Sequence, residues 1–291
     1  MINIQNSPID NIKFNNYTFL IKRDDLLHPD FNGNKARKFY HYLTQNLTNI
    51  DTIISYGSNQ SNAMYSLSVL AKLYNLNFIY YTNHLPDFLK QNPIGNLKNS
   101  LDNGMQLIVG EYDKYNINIP NPQTTLLINE GGAIQEASIG IKLLANEINN
   151  YVKQHNLKDI KIFLPSGTGT TALFLQKYTN IEVLTCSCVG DDNYLQKQFL
   201  ELEKEKNNHP TILPKEKKFH FGKLYRSNYN IWLQLKKQTN IEFDLLYDPI
   251  GWQTLFYNQD KINLNNILYI HQGGVKGNIT MLQRYQRKFD K

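Results

Sequence analysis

The sequence predicts an α/β fold of two open, twisted sheets with flanking helices, divided into a small and a large domain with a ligand site between them. Three observations carry this expectation. Short β-branched runs alternate with segments of helical period, the pattern of parallel strands covered on both faces. A long helical segment at 134–155 divides the strand candidates four and four. Polar turns bearing glycine lie where strands end, the edge at which open α/β sheets hold ligands.

In chain order, Phe31-Asn-Gly-Asn34 reads as a turn and residues 36–43 as a helix. Lys35 therefore stands at a loop-to-helix junction, either as a solvated cation or as an amine held inward. Residues 51–56, 78–82, 106–109 and 125–128 are strands, and residues 61–74 form a helix that Ser61 or Asn62 can cap. Beyond 134–155 come strands at 161–164, 182–186, 243–247 and 266–271, with helices at 230–238 and 278–289. A charged stretch with two prolines, 201–218, ends a helix in a solvated loop. The small domain is expected to span 48–140, and the large one to be built from 1–47 and 141–291.

Lys and Arg number 31 against 25 Asp and Glu, and the excess is scattered in pairs such as Lys217-Lys218 rather than gathered in a stripe. That argues against a nucleic-acid partner and favours small anions. Cys186 and Cys188 are two apart in a run that alternates like a strand, so they share a face. They make no disulfide framework and have no His or Cys cluster beside them for a metal, and buried thiols are expected. The N-terminal residues lack a basic start and apolar core, and no apolar run approaches the roughly 20 residues that cross a bilayer. The expectation is a cytoplasmic protein that engages no membrane.

Three turns are candidates for ligand binding. Ser55-Tyr-Gly-Ser-Asn-Gln-Ser-Asn62 runs from a strand into a helix. In Leu164-Pro-Ser-Gly-Thr-Gly-Thr-Thr-Ala172 the glycines allow close approach of an anion, the hydroxyls donate to it, and a helix N-terminus follows. Phosphate binding is the inference, although no Gly-Lys-Ser/Thr of a P-loop follows. The same stretch matches Gly-x-Gly-x-x-Ala, which admits a dinucleotide, with Asp191 and Asp192 as imperfectly placed ribose acids. His271-Gln-Gly-Gly-Val-Lys-Gly277 closes the last strand and opens the terminal helix.

Taken in order, these stretches resemble the 1-aminocyclopropane-1-carboxylate deaminase and D-cysteine desulfhydrase family, which belongs to the fold type II pyridoxal-phosphate enzymes with a tryptophan synthase beta-like fold. The likeness runs nearly the full chain through Lys22-Arg-Asp-Asp-Leu26, Gly33-Asn-Lys35, Gln60-Ser-Asn62, Glu130-Gly-Gly132 with Gly140 after it, Ser166-Gly-Thr-Gly-Thr-Thr171 and His271-Gln-Gly-Gly274.

The resemblance implies that Lys35 condenses with pyridoxal 5'-phosphate and that Lys35 and Ser61 are catalytic. Asn59, Gln60, Ser61 and Asn62 would hold the substrate, with Asn62 touching the cofactor too. Ser166, Gly167, Thr168, Gly169, Thr170 and Thr171 would hold the phosphate, and Gln272 would meet the pyridine nitrogen. Three positions depart from the family pattern. Gly251 stands where a tyrosine is common, leaving neighbouring Trp252 as the expected apolar substrate contact; Ala63 replaces a histidine; and Gln272 replaces a small hydroxyl.

The implied function is a pyridoxal-phosphate-dependent lyase or hydrolytic deaminase of amino-acid metabolism. It would convert a small amino acid to a 2-oxo acid and ammonia, as in D-cysteine desulfhydration or cyclopropane ring opening, in a homodimer. The alternatives are an inert or differently specific relative that binds the same cofactor, and an NAD-dependent oxidoreductase.

Overall fold

The computed structural model describes residues 4–113 and 116–290; of the two expected domains, residues 1–3, 114, 115 and 291 lie outside these. A six-stranded sheet runs in the order β1 (Ile9–Phe14), β2 (Tyr17–Arg23), β10 (Ile267–His271), β7 (Lys161–Ser166), β8 (Val183–Ser187), β9 (Thr211–Ile212). Only the β1–β2 pair in it is antiparallel. A four-stranded, all-parallel sheet runs β5 (Met105–Val109), β4 (Asn77–Thr82), β3 (Thr52–Tyr56), β6 (Thr125–Ile128). The expectation of two sheets with flanking helices is met.

The helices are α1 (Gly33–Lys38), α2 (Tyr40–Thr44), α3 (Asn62–Tyr74), α4 (Asp87–Gln91), α5 (Gly95–Asp102), α6 (Ala137–Gln154), α7 (Thr170–Tyr178), α8 (Asp192–Leu202), α9 (Arg226–Thr239), α10 (Asp248–Tyr257) and α11 (Asn278–Phe289). Strand alternation explains why the large sheet is buried on both faces. In β10, Ile267 and Tyr269 join one core with Phe14, Phe19 and Trp252, whereas Leu268 and Ile270 join another with Ile141, Leu144 and Phe174 of α6 and α7. Met64, Leu67 and Leu70 of α3 pack with Ile53 and Phe78 in the core of the small sheet.

Four details differ from the sequence reading. Strands β1 and β2 add an antiparallel hairpin to one edge of the large sheet. Residues 243–247 are a loop rather than a strand, because the buried Asp244 carboxylate accepts the amides of Leu246 (2.8 Å) and Tyr247 (2.6 Å) and so bends the backbone. The charged stretch ends α8 as expected but contributes the short edge strand β9. Lys35 lies inside the first turn of α1 rather than before it.

The helix carrying Lys35 is clamped by buried charge. Arg37 reaches Asp24 (2.8 and 3.0 Å) and Glu147 of α6 (2.7 and 2.8 Å), and Lys22 meets the same glutamate at 2.7 Å. Gly140 permits the seat: a Cβ there would lie 2.0 Å from the Arg37 carbonyl oxygen. Among the described residues, no helix is long and apolar enough to cross a membrane.

Candidate active site

A cavity of about 880 Å³ gathers turns that lie far apart in the sequence. Lys35, Asn59, Gln60, Ser61, Asn62, the whole run from Ser166 to Thr171, and Gln272 all line it.

Two backbones in close approach set the position of Lys35. Gly33 has φ +65°, and a Cβ on it would sit 1.9 Å from the Gln272 carbonyl oxygen; that same oxygen accepts the Asn34 amide at 3.0 Å. The glycine therefore docks α1 directly on the turn after β10. The Lys35 amine touches the Asn34 side-chain oxygen at 3.3 Å. The side chain is part-exposed and lines the cavity. Burial lowers the amine to about 8, against the opposing pull of Asp244.

Two residues that the sequence reading missed complete this wall. Lys38 follows Lys35 by three positions, a spacing that puts both on one helix face. Its amine donates to the Gly131 carbonyl (3.0 Å) and to Thr168 Oγ1 (3.3 Å), which ties α1 to the Glu-Gly-Gly and hydroxyl turns. Burial, helped by the charge of Lys35, holds that amine well below the usual lysine value. The second is Asp244, whose carboxyl is raised to about 6 by burial, against the backbone amides of Tyr247 and Leu246 and the charge of Lys35. Lys38 was findable from helical spacing. Asp244 was not, because Lys35, the amine on which its charge acts, comes from a distant segment.

The hydroxyl turn fits a phosphate. It opens α7, whose first-turn amides have no partners within the helix. Thr168 and Thr170 share a hydrogen bond at 3.1 Å, while Ser166 is engaged with Thr185 at 2.7 Å. Thr171 Oγ1 is buried, belongs to a cavity-lining residue and has no hydrogen-bond partner in the protein. A buried unpaired hydroxyl beside a helix N-terminus and the Lys38 amine is what an anion with several acceptor oxygens would satisfy.

The opposite turn serves two purposes. Ser61 caps α3, its Oγ accepting from the amides of Ala63 (3.1 Å) and Met64 (3.4 Å), which leaves its hydroxyl hydrogen to donate elsewhere. Asn62 Oδ1 accepts from Asn96 at 2.7 Å, and Gln60 and Asn59 donate to the Ile94 and His84 carbonyls. Gln272 is held at both ends, donating to the Pro165 carbonyl (2.6 Å) and accepting from Asn34 (3.1 Å), so one amide hydrogen remains for a ligand. His271, beside it, is stacked on Phe243 and bonded to the Glu242 carbonyl; burial lowers its pKa and favours the neutral ring.

Trp252 does not join the site, which corrects the expectation that it contacts substrate. It is fully buried against Phe14, Phe19, Phe243 and Tyr269, because α10 turns this face toward the large sheet. Gly251 faces the sheet as well: a Cβ there would meet the Tyr269 hydroxyl at 3.0 Å and Phe163 at 3.2 Å, leaving no room for a tyrosine. The dinucleotide acids are otherwise employed. Asp191 caps α8, while Asp192 pairs with Ser187 and Lys215. Cys186 and Cys188 are buried free thiols 4.0 Å apart.

No family model matches the chain. Its sequence is 22% identical to a putative mitochondrial D-cysteine desulfhydrase 2 of Oryza sativa subsp. japonica, over 93% of this chain and 81% of that protein. A crystal structure described as an ACC deaminase homologue superposes with TM-score 0.77 at 20% identity, covering 99% of this chain and 95% of the other. A hydrogen sulfide-producing enzyme from Fusobacterium nucleatum gives 0.62 at 11%, over 94% and 97%. The processed form of threonine deaminase isoform 2 from Solanum lycopersicum gives 0.64 at 12%, over 98% and 83%. The fold is that of the fold type II pyridoxal-phosphate enzymes.

Proposed function

We propose that this chain is a pyridoxal-phosphate-dependent lyase or deaminase of the D-cysteine desulfhydrase and 1-aminocyclopropane-1-carboxylate deaminase kind. One observation carries the reading: a lysine amine lowered to about 8 lines the same cavity as a hydroxyl turn with a buried, unpaired threonine. When bound, the cofactor supplies a carbonyl for amines and a ring that accepts the electron pair released at Cα. Ser166 to Thr171 and Lys38 would hold its phosphate, Gln272 has an amide hydrogen that would serve the ring nitrogen, and Lys35 would be the condensing amine. A neutral amide does not keep that nitrogen protonated as a carboxylate would, which favours elimination over transamination.

Ser61, Asn62, Gln60 and Asn59 bind the carboxylate of the amino acid. Lys35 takes the proton from Cα, a β-leaving group departs with its bonding pair, and water converts the released three-carbon enamine to pyruvate and ammonia. D-cysteine-like elimination ranks slightly ahead of cyclopropane opening, because elimination needs fewer added acid groups. The small domain is 48–140 and the large one 1–47 with 141–291, in a cytoplasmic homodimer. The packing at Gly251 favours a second reading, a cofactor-binding relative with altered specificity or no turnover.

The test is a visible spectrum of purified protein with pyridoxal phosphate, then titration with D-cysteine and 1-aminocyclopropane-1-carboxylate while assaying 2-oxo acid and sulfide. Lys35→Ala should lose the visible band of the lysine-bound cofactor. Retention of that band by the variant refutes the assignment, and a wild-type band without product from any amino acid selects the second reading.

A further inference from the structure

Only part of the cavity is explained by the cofactor and the head of an amino acid. At about 880 Å³ it lies toward the top of the roughly 300–1,000 Å³ range of ligand sites. Its inner end holds Lys35, Asp244 and the hydroxyl turn, whereas its outer end is lined by Phe88 of α4, Ile94, Phe221, and Met281, Arg284 and Arg287 of α11. Phe88 and Phe221 are 57% and 42% exposed, which places them at the mouth.

Helix α11 gives this outer wall its scale. Its first residue, Asn278, adjoins the substrate turn: a Cβ on Gly277, just before it, would lie 3.4 Å from Asn62 Oδ1. Met281, Arg284 and Arg287 follow at three-residue steps, each about 60° further round the helix, and all three line the cavity; the two arginines stand about 9 and 14 Å along the axis from Asn278. Side chains lean toward the helix N-terminus, which brings both guanidinium groups back toward the cavity. Arg284 is fixed by the Gly222 carbonyl (2.9 Å) and Met281 Sδ (3.1 Å). Arg287 is exposed and has no carboxylate partner among the described residues.

We infer that the amino acid this site takes carries an extended, apolar β-substituent ending in a second anionic group, held by Arg287 and Arg284 roughly 10 Å from the α-carboxylate. Thioether-linked amino acids with a terminal carboxylate have this shape. The inference rests on the function proposed above and deepens it by naming the substrate class: the leaving group is a carboxylate-bearing thiolate rather than sulfide.

Protein loaded with pyridoxal phosphate tests this by equilibrium absorbance titration with S-(3-carboxypropyl)cysteine, S-butylcysteine and S-(3-aminopropyl)cysteine, in both stereochemical series. The carboxypropyl compound should bind at least tenfold more tightly than the butyl one, with the ratio falling as salt rises. Arg287→Gln should bring that ratio toward one, and Arg287→Glu should turn the preference toward the aminopropyl compound. A wild-type ratio of one, an unaltered ratio in Arg287→Glu, or no binding of any of the three overturns the inference. Failure to bind pyridoxal phosphate would instead defeat the function and this inference together; a loaded protein that binds only small amino acids defeats the inference alone.

Discussion

An amine attacks a carbonyl only after it has lost its proton, so under the function proposed above the environment of Lys35 would govern how readily pyridoxal phosphate is captured. With the amine at about 8, compared with about 10.5 in the unfolded chain, the neutral form grows as pH rises through 8. Rapid mixing of cofactor-free protein with pyridoxal phosphate should show a capture rate that climbs with pH and reaches half its plateau near pH 8. Asp244 raises the Lys35 value, so Asp244→Asn should shift that midpoint to lower pH; an unmoved midpoint shows that this carboxylate does not act on the amine. Thr171 makes a separate case. Its Oγ1 has no partner within the protein, so Thr171→Val should leave the unfolding of cofactor-free protein almost unchanged while weakening pyridoxal phosphate binding by about tenfold to a hundredfold, the worth of one hydrogen bond to a charged acceptor.

At the scale of the element, α1 is a six-residue helix that carries the part-exposed Lys35 and the buried Lys38, and such a helix has little stability of its own. The arginine between them holds it in place. Asp24 and Arg37 are 1% and 0% exposed, so Arg37→Ala would leave the Asp24 carboxylate buried without its cation, while Glu147 keeps Lys22, and should lower the unfolding free energy by about 3–5 kcal/mol in urea titration. Gly33→Ala acts through backbone contact. The added methyl has no space against the Gln272 carbonyl, so the variant should fold yet bind pyridoxal phosphate poorly, with the loss seen in equilibrium titration. The spacing of the two lysines, three apart, is written in the sequence. Their restraint is not, because the clamp joins residues 24, 37 and 147.

For the whole molecule, the cavity wall is assembled from turns that follow strands of both sheets and from the neighbouring helices, so its occupant should stabilise the native state as a unit. A cofactor present at about 100 times its dissociation constant adds about 2.7 kcal/mol. Scanning calorimetry should then show Tm rising by several degrees with pyridoxal phosphate, and by much less in Lys35→Ala. The alternation of strand and helix, the Ser61 cap and the hydroxyl turn that opens α7 were legible in the residues themselves, because each is a local pattern of period, glycine and hydroxyl, whereas Lys35 lies within α1 and not at the junction before it. For Trp252 the residues left two readings, core, which is the commoner lot of a tryptophan, and a pocket wall beside Gly251. Only the rotation of α10 against the large sheet decides it.

By itself the sequence determined the alternation of strand and helix, the order of the polar, glycine-bearing turns and the chemistry each turn offers, since these follow from side-chain type and short-range spacing. The tertiary structure alone decided which groups face one another. Asp244 near Lys35, Lys38 on Thr168, Gly33 on Gln272 and α11 along the cavity mouth are contacts between segments far apart in the chain, and chain packing, not local propensity, fixes them.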